Sequence, residues 1–437
     1  MDAAPRPRIA VIRDGTSPPP HRATTAHLQA AYPFVAEAGL GSGGAYIGRD
    51  LLGGAFCYDP WDLYERGVIT NPNMLVIGQI GRGKSSFVKS YLWRQQVFGR
   101  QAWVIDPKGE YGPLARACGS EPLRIVPGGM VRLNPLDAGP TSSGAGATPD
   151  VLRRQSQLLA SLAEASLGRS LTPRERTAAD LALRSASGRG RTLTLPLVAA
   201  ALLDPSPQSA ELVHTDTGTL AADGRDVALE LRRLIEGDLA GMFDGPTSSH
   251  LSLSGPLVSL DLSALYASPA LGILMTCATA WLQATLINSD DQTRRIVVVD
   301  EAWAILSNLA IARWLQASFK LSRAYGVANV VVLHRLSDLK AAGADGSEQQ
   351  RLAEGLISDS ETRVVYGQPP SEVAAAGELL GLTGTEAELL PQLPRGVALW
   401  KLGLRSFLVA HRLGRAEAHF VDTDARMTTR PAVPFTP

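Results

Sequence analysis

The stretch Gly78-Gln79-Ile80-Gly81-Arg82-Gly83-Lys84-Ser85, followed by Ser86, constrains this chain more than any other part of it. It has Walker A spacing. A short apolar run, Met74 to Ile77, precedes it, and a helical pattern over 84–98 follows. Glycines at these spacings let backbone N–H groups close around an anion, and the helix behind them offers its positive end. Such a loop needs a strand on one side and a helix on the other, so it commits the neighbouring chain to an α/β unit built on a parallel sheet. On this reading all nine residues cradle phosphate, with Lys84 reaching the terminal phosphates and Ser85 ligating Mg²⁺.

A matching partner lies downstream. Ile296-Val297-Val298-Val299 reads as a strand buried on both faces, and it ends in Asp300-Glu301, a Walker B pattern. In an open α/β sheet the strand's carboxyl end is where ligands bind. Asp300 then suits the metal's shell, and Glu301 suits the base that polarises an attacking water. Two acids at a strand end are commonly no more than a solvated terminus; the loop upstream is what gives them a role. A pair of acids, rather than a lone Asp, favours an ATPase with its own catalytic carboxylate over a small GTPase. ATP and Mg²⁺ are the expected ligands.

Outward from these motifs, strands are expected at 102–106, 256–261, 329–333, 363–366, 397–402 and 407–411, and helices at 270–287 and 305–325. The organisation predicted is an N-terminal arm, partly disordered, over 1–55; a first part of the ATPase core over 56–138; a mostly helical insertion over 139–255; a second part of the core over 256–415; and a tail over 416–437. The run 270–287 is long enough to span a bilayer. Thr276, Thr279, Gln283 and Thr285 interrupt it, however, and it sits between strand-like segments, so a buried helix is the better reading. With no secretory leader and no transmembrane segment, the expected location is cytoplasmic, peripheral to the inner face of the cell membrane. Cys57, Cys118 and Cys277 are too scattered for a disulfide framework or a zinc site. The 42 basic and 42 acidic side chains cancel, which excludes a whole-surface field for polyanions but leaves a local basic pore open.

The strand at 102–106 closes in Asp106-Pro107-Lys108-Gly109-Glu110-Tyr111. Taken alone, this could be a helix start with Asp106 as N-cap and Pro107 at the first helical position. Taken with Asn71-Pro72-Asn73, Leu133-Asn134-Pro135-Leu136-Asp137, Gly241-Met242-Phe243-Asp244-Gly245 and Asp300-Glu301-Ala302-Trp303, it resembles the HerA/FtsK superfamily, and within it the TraC-like and VirB-type ATPases of conjugative type IV secretion. The resemblance spans about 56–413. It implies a RecA-like P-loop core with a mostly parallel sheet, assembled as a homo-hexamer. The implied activity is ATP hydrolysis that powers macromolecule transfer or channel assembly. Secretion-channel or coupling proteins at the membrane are the implied partners, with DNA as a candidate contact.

The resemblance also assigns individual residues. It places the strand ending at Asp106 beside the Walker A strand, with Glu110 facing the nucleotide. It makes Arg323, in Lys320-Leu-Ser-Arg323-Ala-Tyr-Gly326, a finger that reaches the neighbouring subunit's ATP; the plain reading is a solvated helical arginine. His334 stands where the superfamily commonly has a Gln that senses the terminal phosphate, against a plain reading as a strand-end cap. Members usually carry a large channel-docking domain before the loop, where this chain has only about 70 residues. A soluble HerA-like DNA translocase or helicase is the alternative within the same superfamily. A module that binds ATP without turnover is the alternative outside it.

Overall fold

The structure, a computed structural model, describes residues 39–137, 149–187, 192–249, 251, 255–268, 270–287, 293–302, 312–313, 316, 319–320, 325–334 and 348–421. Alternation along its strands sorts side chains onto two faces of one sheet. The strands are β1 (Ala45–Asp50), β2 (Ala55–Tyr58), β3 (Met74–Ile77), β4 (Gln101–Asp106), β5 (Leu123–Arg124) and β6 (Leu257–Asp261). They continue with β7 (Arg295–Val299), β8 (Val327–Leu333), β9 (Thr362–Tyr366), β10 (Val397–Leu402) and β11 (Arg405–His411). Leu75, Ile77, Trp103, Ile105, Val297, Val299, Val331 and Leu333 point into one core, and Met74, Val76, Val104, Ile296, Val298, Val330 and Val332 into the other. A sheet covered on both faces reads as continuous apolar runs, which is why its central strands stand out in the sequence.

The strand order is β2-β1-β11-β10-β9-β3-β8-β7-β4-β6-β5. Every pairing from β9 to β5 is parallel, and β2, β1, β11 and β10 form an antiparallel wing that meets β9. The fold is therefore α/β with a mostly parallel sheet. β4 does not lie beside β3, contrary to what the resemblance implied: β8 and β7 stand between them. The crossover through helix α1 (Lys84–Gln95) skips two places, which later strands fill, and this opens the crevice at the carboxyl end of β3.

The first core is shared with helices α2 (Pro149–Leu167), α3 (Pro173–Ser187), α4 (Leu195–Leu203) and α5 (Thr217–Arg233), through Leu158, Leu162, Leu183, Val198, Leu202 and Leu231. Helix α6 (Leu271–Ile287) lies in the same core, with Leu274, Ala278, Trp281 and Leu282 buried; its Thr276, Thr279 and Thr285 hydroxyls donate to carbonyls one turn back. Those bonds are how an apolar helix carries threonines without orphaned polar groups. No helix among the described residues is long and apolar enough to cross a membrane. The helix expected at 305–325 falls mostly outside the described residues.

The sheet begins at Ala45, inside the segment expected to be an arm. A bulge between Tyr46 and Gly48 breaks the period that would have announced β1. The first residues of the expected tail are also fixed. Glu417 accepts from Arg94 at 2.6 and 2.7 Å and from the Ser90 hydroxyl at 3.1 Å, both on α1, and Phe420 packs on Trp93 at 5.1 Å. Arg94 draws the Glu417 carboxyl below its ordinary range even though burial opposes the shift.

In the second core Trp400 contacts Phe56, Tyr58 and Phe87 edge-on, with centroids 5.0–5.3 Å apart. It joins the wing to α1 and is 1 % exposed. Trp400→Ala is expected to lower stability by about 3–5 kcal/mol, the range for emptying a large aromatic site. Denaturant unfolding of the purified variant checks this; a loss below about 1 kcal/mol would mean that the wing does not depend on this cluster.

Candidate nucleotide site

β3 is fully buried and delivers the loop to the sheet's carboxyl edge. Gly78 comes so close to β9 that a β-carbon on it would lie 2.4 Å from Tyr366 Cβ, so no side chain fits. Gly83, at φ 110°, turns the chain into α1 in a conformation that only glycine adopts without strain. Neighbouring loops brace the cradle. Gln79 N–H donates to Gly367 O at 3.1 Å, and Gly396 N–H donates to Arg82 O at 2.9 Å. The Arg82 guanidinium reaches Gln79 Oε1 at 3.2 Å and Leu393 O at 3.4 Å. Gly81 and Ile80 are exposed at the tip, whereas Ser85 and Ser86 are half-buried at the helix start.

Lys84 is 4 % exposed, and its ammonium donates back to Gly78 O and, at 3.2 Å, to Gln79 O. Burial pulls its pKa down to about 8; Asp300 and Glu301 resist that shift, and the charge of Lys108 adds to it. These groups therefore share one electrostatic environment.

β7 ends in Asp300 and Glu301, which are 7 % and 2 % exposed. Asp300 Oδ1 accepts from the Glu301 N–H at 2.9 Å, and Oδ2 accepts from the Tyr111 hydroxyl at 3.1 Å. Burial, and then the charge of Asp300, keep that phenol protonated, so it stays a donor. The Asp300 carboxyl is itself raised, by burial first and by Glu301 second. Glu301 has φ 53°, a left-handed conformation that costs a non-glycine residue about 1 kcal/mol or more and is found where surrounding structure enforces it. The chain turns there, and the Ala302 N–H bonds to Val332 O on β8 at 3.3 Å.

The turn aims the Glu301 carboxylate at two side chains from other strands. Oε1 forms an ion pair with Lys108 Nζ and lies 2.5 Å from His334 Nε2, and these two nitrogens are 3.4 Å apart. His334, expected as a phosphate sensor, thus sits against the expected base. Its Nδ1 is buried and makes no hydrogen bond.

The motif after β4 shapes the far wall. Asp106 accepts from Glu110 N–H at 3.1 Å and Tyr111 N–H at 2.8 Å. It closes a turn and caps no helix, since the next helix starts at Gly112. Burial raises its pKa to about 6 even with those two donors, and Asp300 and Asp261 add to the rise. Glu110 points toward α1, with its carboxylate 3.9 Å from Lys89 Nζ. Sequence reasoning passed over Lys108 and Tyr111. Both stood within a flagged motif, but their partners are 193 and 189 positions away. Arg323 and Trp303 lie outside the described residues.

The donors fit Mg²⁺. A carboxylate held above its ordinary pKa by burial first and a neighbouring acid second is stabilised by a cation, and Asp300 with the Ser85 hydroxyl offers hard oxygen ligands of the kind that Mg²⁺ shares with substrate phosphates. Among the described residues no group of three His, Cys, Asp or Glu forms an all-protein metal cage.

No protein-family profile matches the chain, and neither does any curated protein sequence. Solved structures do match. VirB4 of Thermoanaerobacter pseudethanolicus superposes with a TM-score of 0.69 at 22 % identity, covering 87 % of this chain and all of the other. The plasmid coupling protein TrwB in complex with ADP and Mg²⁺ gives 0.56 at 15 %, covering 80 % and 87 %. The unbound bacterial conjugative coupling protein TrwBdeltaN70 gives 0.54 at 14 %, covering 79 % and 86 %. This chain shares their fold, a RecA-like P-loop core, as the motif resemblance implied.

Proposed function

We propose that this chain is the ATP-hydrolysing motor of a conjugative type IV secretion-like system, working as a homo-hexamer to power macromolecule transfer or channel assembly. The observation that carries the reading is the convergence of Lys84, Asp300 and Glu301, all nearly buried, at the carboxyl edge of the parallel sheet, where β3 and β7 flank β8. The likeness in fold to VirB4, and to a coupling protein whose structure holds ADP and Mg²⁺, supports it.

In this mechanism the loop's N–H groups and Lys84 hold the phosphates; Ser85 and Asp300 would hold Mg²⁺, which would neutralise charge on the phosphate oxygens. Glu301 takes a proton from water as its oxygen attacks the terminal phosphorus. The bond to the bridging oxygen breaks, and ADP and phosphate leave. His334 orients Glu301, and Arg323 of the adjacent subunit neutralises the charge that develops, an effect worth roughly 10³ to 10⁵ in rate where such fingers are known.

The test uses mixed assemblies. Wild-type protein should hydrolyse ATP only with Mg²⁺ present. Arg323→Ala and Glu301→Gln subunits, each nearly inactive alone, should recover turnover when mixed, because some interfaces then pair an intact Glu301 with a neighbour's intact Arg323. Mixed rings that form and stay inactive would remove Arg323 from the site. Wild-type protein with no turnover would remove the motor assignment itself.

A further inference from the structure

We propose that Lys108 is the positioning residue that tells Glu301 whether a third phosphate is present: its ammonium holds the carboxylate in the nucleotide-free and ADP states, and passes to the terminal phosphate when ATP binds. The inference rests on the ATPase reading of this site and deepens it.

Lys108 and His334 converge on the same oxygen of Glu301. An oxygen occupied by an ammonium and an imidazole is badly placed to accept a further hydrogen bond from water, and the paired ammonium weakens the carboxylate as a base, so opening the ion pair makes Glu301 the stronger base. Of the two charged partners, only one is free to move. Glu301 is 2 % exposed, fixed by its left-handed turn and by the bond from its N–H to Asp300. The Lys108 side chain is 30 % exposed, on a flexible four-carbon stem, with the Tyr266 ring 5.7 Å from its ammonium.

Lys108 follows the carboxyl end of β4 and Lys84 follows that of β3, so both lysines sit at the same edge of the sheet, and the charge of Lys108 is felt by Lys84. A terminal phosphate offers several charged oxygens where Glu301 offers a single carboxylate, and charge-assisted bonds to it compete well for an ammonium. Transfer of Lys108 would place a positive charge on the group under attack and uncover the base in the same movement. ADP ends one phosphate short and leaves the pair closed.

The test compares wild type, Lys108→Met, Lys108→Arg and the double variant Lys108→Met with Glu301→Gln. Affinities for a non-hydrolysable ATP analogue and for ADP are read by displacement of a fluorescent nucleotide, with kcat and KM measured alongside. Lys108→Met should weaken the ATP analogue by about 10- to 100-fold, as expected for losing a bond to a charged group, and leave ADP within about twofold. kcat should fall as well, and Lys108→Arg should restore most of the preference for ATP over ADP. The double variant removes both charges, so it answers the question should Lys108→Met fail to fold around a Glu301 that lacks its ammonium partner; it should show the same selective loss relative to Glu301→Gln alone. Equal changes for the two nucleotides, or none, would overturn the proposal while leaving the ATPase reading intact. Wild-type protein that binds neither nucleotide would overturn both.

Discussion

Lys84→Ala should bind ATP about 100-fold or more weakly than the wild type, in an otherwise folded protein. The lysine is the first residue of α1, and its ammonium reaches back over the loop to the Gly78 and Gln79 carbonyls, where phosphate oxygens would replace those weaker acceptors. A charge-assisted bond removed from a desolvated site is worth about 2–5 kcal/mol when its partner is left unpaired, which covers that loss. Stability should change little or improve. Burial already holds this ammonium below its ordinary pKa, so the free protein sustains an unfavourable charge there. Isothermal titration with ATP and Mg²⁺ checks the affinity, and a thermal scan checks the fold. Near wild-type affinity would remove Lys84 from the phosphate site, and the loop with it.

Glu301→Gln should separate binding from chemistry. Glutamine keeps the shape and one acceptor oxygen but cannot take a proton, so turnover should drop roughly 10²- to 10⁴-fold, the usual contribution of a general base. ATP affinity should hold or rise. The carboxylate sits beside Lys108 and Lys84, and neutralising it removes a negative charge from the neighbourhood of the phosphates and releases Lys108 from its ion pair. Single-turnover kinetics with radiolabelled ATP separate the two effects. A variant that hydrolyses at the wild-type rate would show that another group activates the water, and Glu301 would then be an electrostatic neighbour only.

The parts of the fold that were legible in the sequence are those where one local rule acts alone. β3, β7 and β8 are buried on both faces and show as apolar runs, interrupted only by Arg295 at the start of β7 and Asn329 within β8, while the Gly78 to Ser85 spacing is that of a loop suited to bringing backbone against phosphate. β1 and β2 were hidden because their register is interrupted at Gly48 and because β1, on which β2 pairs, is itself held by β11, more than 350 positions away. The order of strands was misread for a related reason. Adjacency of β4 to β7 and not β3 depends on strands that appear some 190 residues later, and no pattern within β4 records it. In the site, Asp300 and Glu301 could be found because they end a strand. Lys108 could not, because its role is defined by a single ion pair across the sheet edge. The plain reading of Asp106 as a helix cap does not hold because an aspartate ahead of a proline serves a turn as readily as a helix, and only the donors at Glu110 and Tyr111 distinguish the two.

Helix α1 is held differently at its two ends. At its start the Gly78 to Ser85 loop is braced mainly by backbone bonds to Gly367 and Gly396; near its end, Arg94 and Ser90 grip Glu417, while Arg94 also bonds the carbonyls of Ile47 at 3.3 Å and of Arg412. Ten residues of helix, about 15 Å, separate Lys84 from that grip. A rod pinned at one end cannot slide to absorb a displacement at the other. Where phosphates bind at that loop, the antiparallel wing holds α1 in place, and the adjustment falls across the crevice to the Lys108 side chain, beside a Glu301 that its turn keeps fixed. The fixed frame is on the side that the sequence hid, and the exposed lysine opposite it belongs to a motif that the sequence announced.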